Sequence, residues 1–138
     1  MTRTCQETPD LIEEAKRIVE NMKNKKGEIK LTTSQIRKFL AAVTRLENKY
    51  ELYKMGEITK NGKKPDLLPP HLVQEVQFLK VKLAYQAGRQ GKNSKADIFL
   101  KDITPHIEKI GDKAAEFEKF CRLVEAIVAY HKYEGGKD

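Results

Sequence analysis

Tryptophan is absent from this chain, aromatic residues of all kinds make up 7% of it, and the two cysteines, Cys5 and Cys121, lie near opposite ends. Each scarcity excludes something. Few aromatics combined with 34% charged residues disfavour a sandwich of short strands and favour helices clothed in Lys and Glu. Cysteines without a Cys-x-x-Cys or Cys/His spacing offer neither a disulfide framework nor a zinc site, so reduced thiols are expected. Long apolar runs are missing as well: nothing approaches the roughly 20 residues that cross a bilayer. The opening "MTRTCQETPDLIEEAKR" reaches Glu7, Asp10, Glu13 and Glu14 without the apolar stretch of a secretory signal. A cytoplasmic protein without a membrane partner is the expectation. At 138 residues the chain is long enough to bury its own core, which predicts one domain over 1–138.

Acidic residues are scarce only in the middle of the chain. Lys plus Arg minus Asp plus Glu is 7−6 = +1 for residues 1–30, 8−3 = +5 for 31–64, 5−2 = +3 for 65–96 and 7−9 = −2 for 97–138, so the central half holds the whole excess of +7. Such asymmetry is the electrostatic footprint of nucleic-acid binding, and it also suits an acidic protein partner.

Apolar spacing predicts an all-α bundle of about five helices with no strands. The helices are expected near 9–25, 33–54, 70–89, 95–104 and 112–132, with a loop over 55–69. In the first, Thr8 serves as N-cap, Pro9 opens the helix, Leu11, Ala15, Ile18 and Met22 form the stripe, and Gly27 ends it. In the second, "TTSQ" at Thr32–Gln35 matches a capping box. Ile36, Phe39, Val43, Leu46, Tyr50 and Tyr53 follow at spacings of 3 and 4, with Leu40 widening the face. Gly56, Asn61-Gly62, Pro65 and Pro69-Pro70 argue against further helix. The third helix carries one face of Leu72, Val73, Val76, Leu79, Leu83, Ala84 and Ala87 and a second of Phe78, Val81 and Tyr85, which reads as a central helix apolar on two sides. Ser94 caps a short fourth helix that Pro105 breaks. Asp112 caps the fifth, whose stripe is Phe117, Phe120, Cys121, Val124, Ile127 and Val128, and Gly135-Gly136 ends it.

Basic residues then select a candidate face. At 100° per residue, Lys38, Arg45 and Lys49 fall within about 40° of one another on the side of the second helix away from its seam, at rises of about 10 and 6 Å. Arg37 flanks them and Lys54 follows a turn later. On the third helix, Lys82 and Arg89 share a narrow polar strip with Glu75 and Gln86. Together, Arg37, Lys38, Arg45, Lys49, Lys54, Lys82 and Arg89 are the candidate polyanion contacts. An ordinary reading of Lys82 is a partner for Glu75 or for an acidic residue of another helix.

Catalytic patterns are missing. His71, His106 and His131 have no metal-ligand spacing to each other or to a cysteine. No phosphate-cradling Gly loop, His-Glu-x-x-His pattern or nucleophile elbow occurs. The acid pairs Glu13-Glu14 and Glu116/Glu118 fall on solvent-type helix positions. The chain is expected to be neither an enzyme nor a holder of cofactor or metal.

Three blocks carry a family resemblance: "LTTSQIRKFLAAV" at Leu31–Val43, "VQFLKVKLAYQAGR" at Val76–Arg89 and "FEKFCRLVEAIVAYHKYEGGK" at Phe117–Lys137. In this order they resemble the small subunit of the type III-A CRISPR effector, the Csm complex. The resemblance implies a helical, non-catalytic subunit of an antiviral ribonucleoprotein. Several copies would stack along the guide RNA–target RNA duplex beside other Csm subunits and touch RNA through basic residues. Separately from the resemblance, the isolated chain is expected to be a monomer or weak homodimer. The alternative is a helical adaptor that binds an acidic protein and no nucleic acid. A DNA-reading helix-turn-helix is disfavoured by the connector 55–70.

Overall fold

The computed structural model describes residues 3–23, 33–91 and 94–134, with side chains from Leu11 in the first stretch and from Gln35 in the second. Five helices occupy it: α1 Arg3–Asn21, α2 Thr33–Asn61, α3 Pro70–Gln90, α4 Lys95–Ile110 and α5 Ala114–Tyr133. Among the described residues there is no strand, and Leu67 and Lys113 form an isolated antiparallel bridge. Helix α5 packs on α1, α2 and α4, while α3 packs on α2 and α4 and α1 closes the circuit against α4.

The predicted stripes build this core. Ala15, Ile18 and Met22 of α1, with Ile36, Phe39, Val43, Leu46 and Tyr50 of α2, are all buried. Phe39 meets Phe99 of α4 edge-on at 5.5 Å and Phe120 of α5 at 6.4 Å, so a single aromatic cluster joins three helices. Tyr50 packs edge-on against Phe117 at 5.4 Å. Its hydroxyl donates to Glu118 Oε2 at 2.5 Å, and burial and that carboxylate push the phenol above its usual range. Cys121 is buried and free, its thiol raised by burial, which makes it inert. The Cys5 side chain lies outside the described residues.

Several helix ends differ from expectation. Helix α1 starts at Arg3, so Thr8 is no N-cap and Pro9 sits inside the helix. Helix α2 continues through Gly56 to Asn61, replacing the first part of the expected loop. A glycine in an exposed helix costs only about 1 kcal/mol, and good helix formers surround it. The stop comes at Gly62, whose φ of 80° accommodates a left-handed C-terminal turn and whose amide donates to the Ile58 carbonyl at 2.8 Å. Pro105 does not break α4, which runs to Ile110. Phe99, Ile103, Ile107 and Ile110 are buried on both sides of that exposed proline, and the Thr104 hydroxyl bonds the Leu100 carbonyl at 2.6 Å. Thr32, Gly27 and Gly135-Gly136 lie outside the described residues.

Ser94 does cap α4, accepting from the Asp97 amide at 3.2 Å. Asp112 does not cap α5: Lys113 takes the N-cap position without a side-chain bond. The connector replaces the cap, for the Ala114 amide donates to the Asp66 carbonyl at 3.0 Å and the Leu68 amide to the Asp112 carbonyl at 2.7 Å. Buried Leu68 is thereby stapled to the start of α5. The sharpest correction concerns α3. Leu72, Val76, Leu79, Leu83 and Ala87 are buried, but Ala84 and the whole second face of Phe78, Val81 and Tyr85 are exposed. With α2 and α4 as its only packed neighbours among the described helices, α3 is flanking, not central.

An ion cluster ties α1 to α4. Glu14 pairs with Arg17 at 2.6 Å and lies 2.7 Å from His106 Nε2, while Asp102 faces Arg17 at 3.6 Å and accepts from Asn21 at 2.9 Å. The Arg17 hydrogen bond holds the Glu14 carboxyl down at about 2, against a smaller opposing effect of burial. A depressed carboxylate stabilises above its unfolded pKa of about 4.5, and the contribution is lost as pH falls towards 2. Because the Arg17 side chain is 51% exposed, solvent screening reduces the value to about 1 kcal/mol. Glu14→Gln should therefore lower urea-unfolding stability by about 1 kcal/mol at pH 7 and make little difference near pH 2. An equal deficit at both pH values would contradict this assignment.

Candidate nucleic-acid interface

Residues of α2 and α3, with Ala96 and Phe99 of α4, line a groove of about 560 Å³ beside the aromatic cluster. Its floor includes Phe39 and Phe99, the same rings that join α2 to α4. Lys38 and Arg45 come from α2 and Lys82 from α3, and no carboxylate lines the groove. A shallower continuation along the same two helices holds Arg45, Lys49 and Lys82, with Glu75 at its edge. The basic stripe is thus not an isolated helix back. Buried Ala42 sits beside it, and α3 adds a second rail.

Glu75 pairs with Lys49 across the helices at 2.7 Å, and not with Lys82. This exposed pair partly neutralises Lys49 and contributes at most about 1 kcal/mol. Lys38, Arg45 and Lys82 have no carboxylate within 4.0 Å among the described residues, which leaves their charge available. Arg89 stands over the Tyr85 ring at 5.9 Å, one turn beyond Gln86 and two beyond Lys82.

Two sequence candidates lie apart. Arg37 is exposed beside Lys38 but does not line the groove. Lys54 turns to Glu51 at 3.1 Å and over the Tyr50 ring at 5.5 Å, beside Glu118 of α5. Lys64, from the connector, likewise reaches Glu118 at 3.5 Å. Sequence reasoning missed the apolar and amide part of the groove, supplied by Phe78, Val81, Tyr85, Gln86 and Gln90. The 3-and-4 spacing of Phe78, Val81 and Tyr85 marked a face, but spacing does not reveal whether a face is covered.

Among the described residues, no group of three or more His, Cys, Asp or Glu could hold a metal ion. No described helix is long and apolar enough to cross a membrane. The arrangement suits an extended anionic surface: rigid helices, cations on two rails, and an acid-free floor.

Comparison with known proteins places the chain. The family model for Csm2 Type III-A matches residues 6–137. The CRISPR system Cms protein Csm2 of Streptococcus thermophilus is 35% identical over 122 residues, covering 84% of this chain and 83% of the relative. The protein of the same description from Mycobacterium tuberculosis (strain ATCC 25618 / H37Rv) is 30% identical over 129 residues, covering 94% of each. The chain therefore belongs to the Csm2 type III-A family.

Proposed function

We propose that this chain is a non-catalytic small subunit of a type III-A CRISPR ribonucleoprotein, assembled with other Csm subunits and further copies of itself along a guide RNA–target RNA duplex. Family membership supports the assembly. The observation that carries the RNA contact is the acid-free groove with Lys38 and Arg45 on one wall and Lys82 on the other. In a guided complex, base pairing reads sequence, so a protein need only follow phosphates and duplex shape. Cations held on two rigid helices do that without contacting base edges. Lys49 contributes less because Glu75 shares its charge, and Arg89 extends the same strip towards the end of α3.

Removing one cation from a phosphate should flatten the dependence of log affinity on log salt by about one unit. The variant K38A/R45A/K82A should keep its helical content, weaken binding to any RNA duplex irrespective of sequence, and lower the salt slope by about 2–3. Filter binding across a salt series, with circular dichroism as the fold control, checks this. Unchanged affinity and slope would contradict the proposal and favour an acidic protein partner for the same face.

A further inference from the structure

The groove holds more than phosphate contact requires. Phe78, Val81 and Tyr85 are 54%, 53% and 67% exposed, in a row at 3-and-4 spacing along α3 that lines the groove. Apolar rings left in water beside cations are costly for a surface whose only task is to follow a duplex backbone. Gln86 and Gln90 enter the same groove, and neither makes a side-chain hydrogen bond among the described residues. The lining thus combines flat apolar surface, amides that both donate and accept, three cations and no anion. An occupant complementary to it has a planar apolar body, a polar edge and a negative charge a few ångströms away.

We propose that the groove between α2 and α3 binds a single unpaired nucleotide, with its base against Tyr85 or Phe78, its polar edge towards Gln86 and Gln90, and its phosphates on Lys38, Arg45 and Lys82. The proposal rests on the RNA-binding reading above and deepens it. A base inside a duplex has both faces stacked and cannot enter, whereas an unstacked base presents a π-face to any aromatic side chain and its Watson–Crick edge to amides. The amides, not the charges, select against an acidic helix as occupant: such a helix would satisfy the cations and cover the rings but leave Gln86 and Gln90 against apolar side chains. The binding is non-covalent, and the base would be recognised mainly by stacking, with little sequence preference.

The test uses the full chain with two RNA duplexes, one perfectly paired and one carrying a single unpaired 5-iodouridine in one strand. The unpaired RNA should bind at least about fivefold tighter, from the value of one base–aromatic stack, and should photocrosslink to a peptide containing Phe78 or Tyr85. F78A/Y85A should bring the two affinities together while leaving that of the paired duplex unchanged, and both side chains are exposed, so the fold should persist. Equal affinity for the two RNAs, or a crosslink mapping outside the groove, would overturn the proposal while leaving phosphate contact intact. Failure to bind either RNA would overturn both readings, and preferential binding of an acidic peptide that competes with both would assign the groove to a protein.

Discussion

The packing of Phe39 between Phe99 and Phe120 is the contact on which the rest of the structure depends. One ring from α2 meets a ring from α4 and another from α5, each edge-on, so the orientation of α2 about its own axis is fixed from two sides. That rotation decides where Lys38 and Arg45 stand, because they share the helix with the anchoring ring. Helix α3 reaches the same neighbourhood through its packing on α2 and α4. The floor of the groove and part of the core are therefore the same residues, and the basic walls cannot shift without disturbing the bundle.

Charge is arranged with a similar economy. Most surface lysines outside the groove have a carboxylate close by: Lys23 with Glu20 and Glu134, Lys101 with Asp97, Lys80 with Glu108, Lys64 with Glu118. Such exposed pairs add little stability, but they remove local potential. Lys38, Arg45 and Lys82 keep theirs and line one groove without a carboxylate, so three uncancelled charges of the basic central segment stand together there.

Stripes at 3.6-residue spacing made the five helices and most of the core legible in the sequence, except on α3, where two faces fitted the spacing and only one is buried. Ends were less legible. Gly56 and Pro105 are strong local signals, yet the first costs little in an exposed helix and the second is overridden by buried Phe99, Ile103, Ile107 and Ile110 on either side. The start of α5 depends on the Asp66 carbonyl and the Leu68 amide of a connector distant in sequence, which no local pattern encodes. Within the site, periodicity placed Lys38, Arg45 and Lys49 together and suggested Lys82. It could not show that Lys54 lies beside Glu118, or that Phe78, Val81 and Tyr85 are left uncovered, because both depend on which neighbours α3 and α5 bring.

The proposed role requires the α2–α3 groove to be the RNA-facing surface of the assembled subunit. Lysine-acetylation footprinting of the native ribonucleoprotein, compared with the same complex after RNA digestion, tests it directly. Lys38 and Lys82 should be protected while RNA is present and become reactive once it is removed, whereas Lys101, exposed on α4 away from the groove, should react equally in both. RNA-dependent protection of Lys101 with Lys38 and Lys82 reactive throughout would contradict that role.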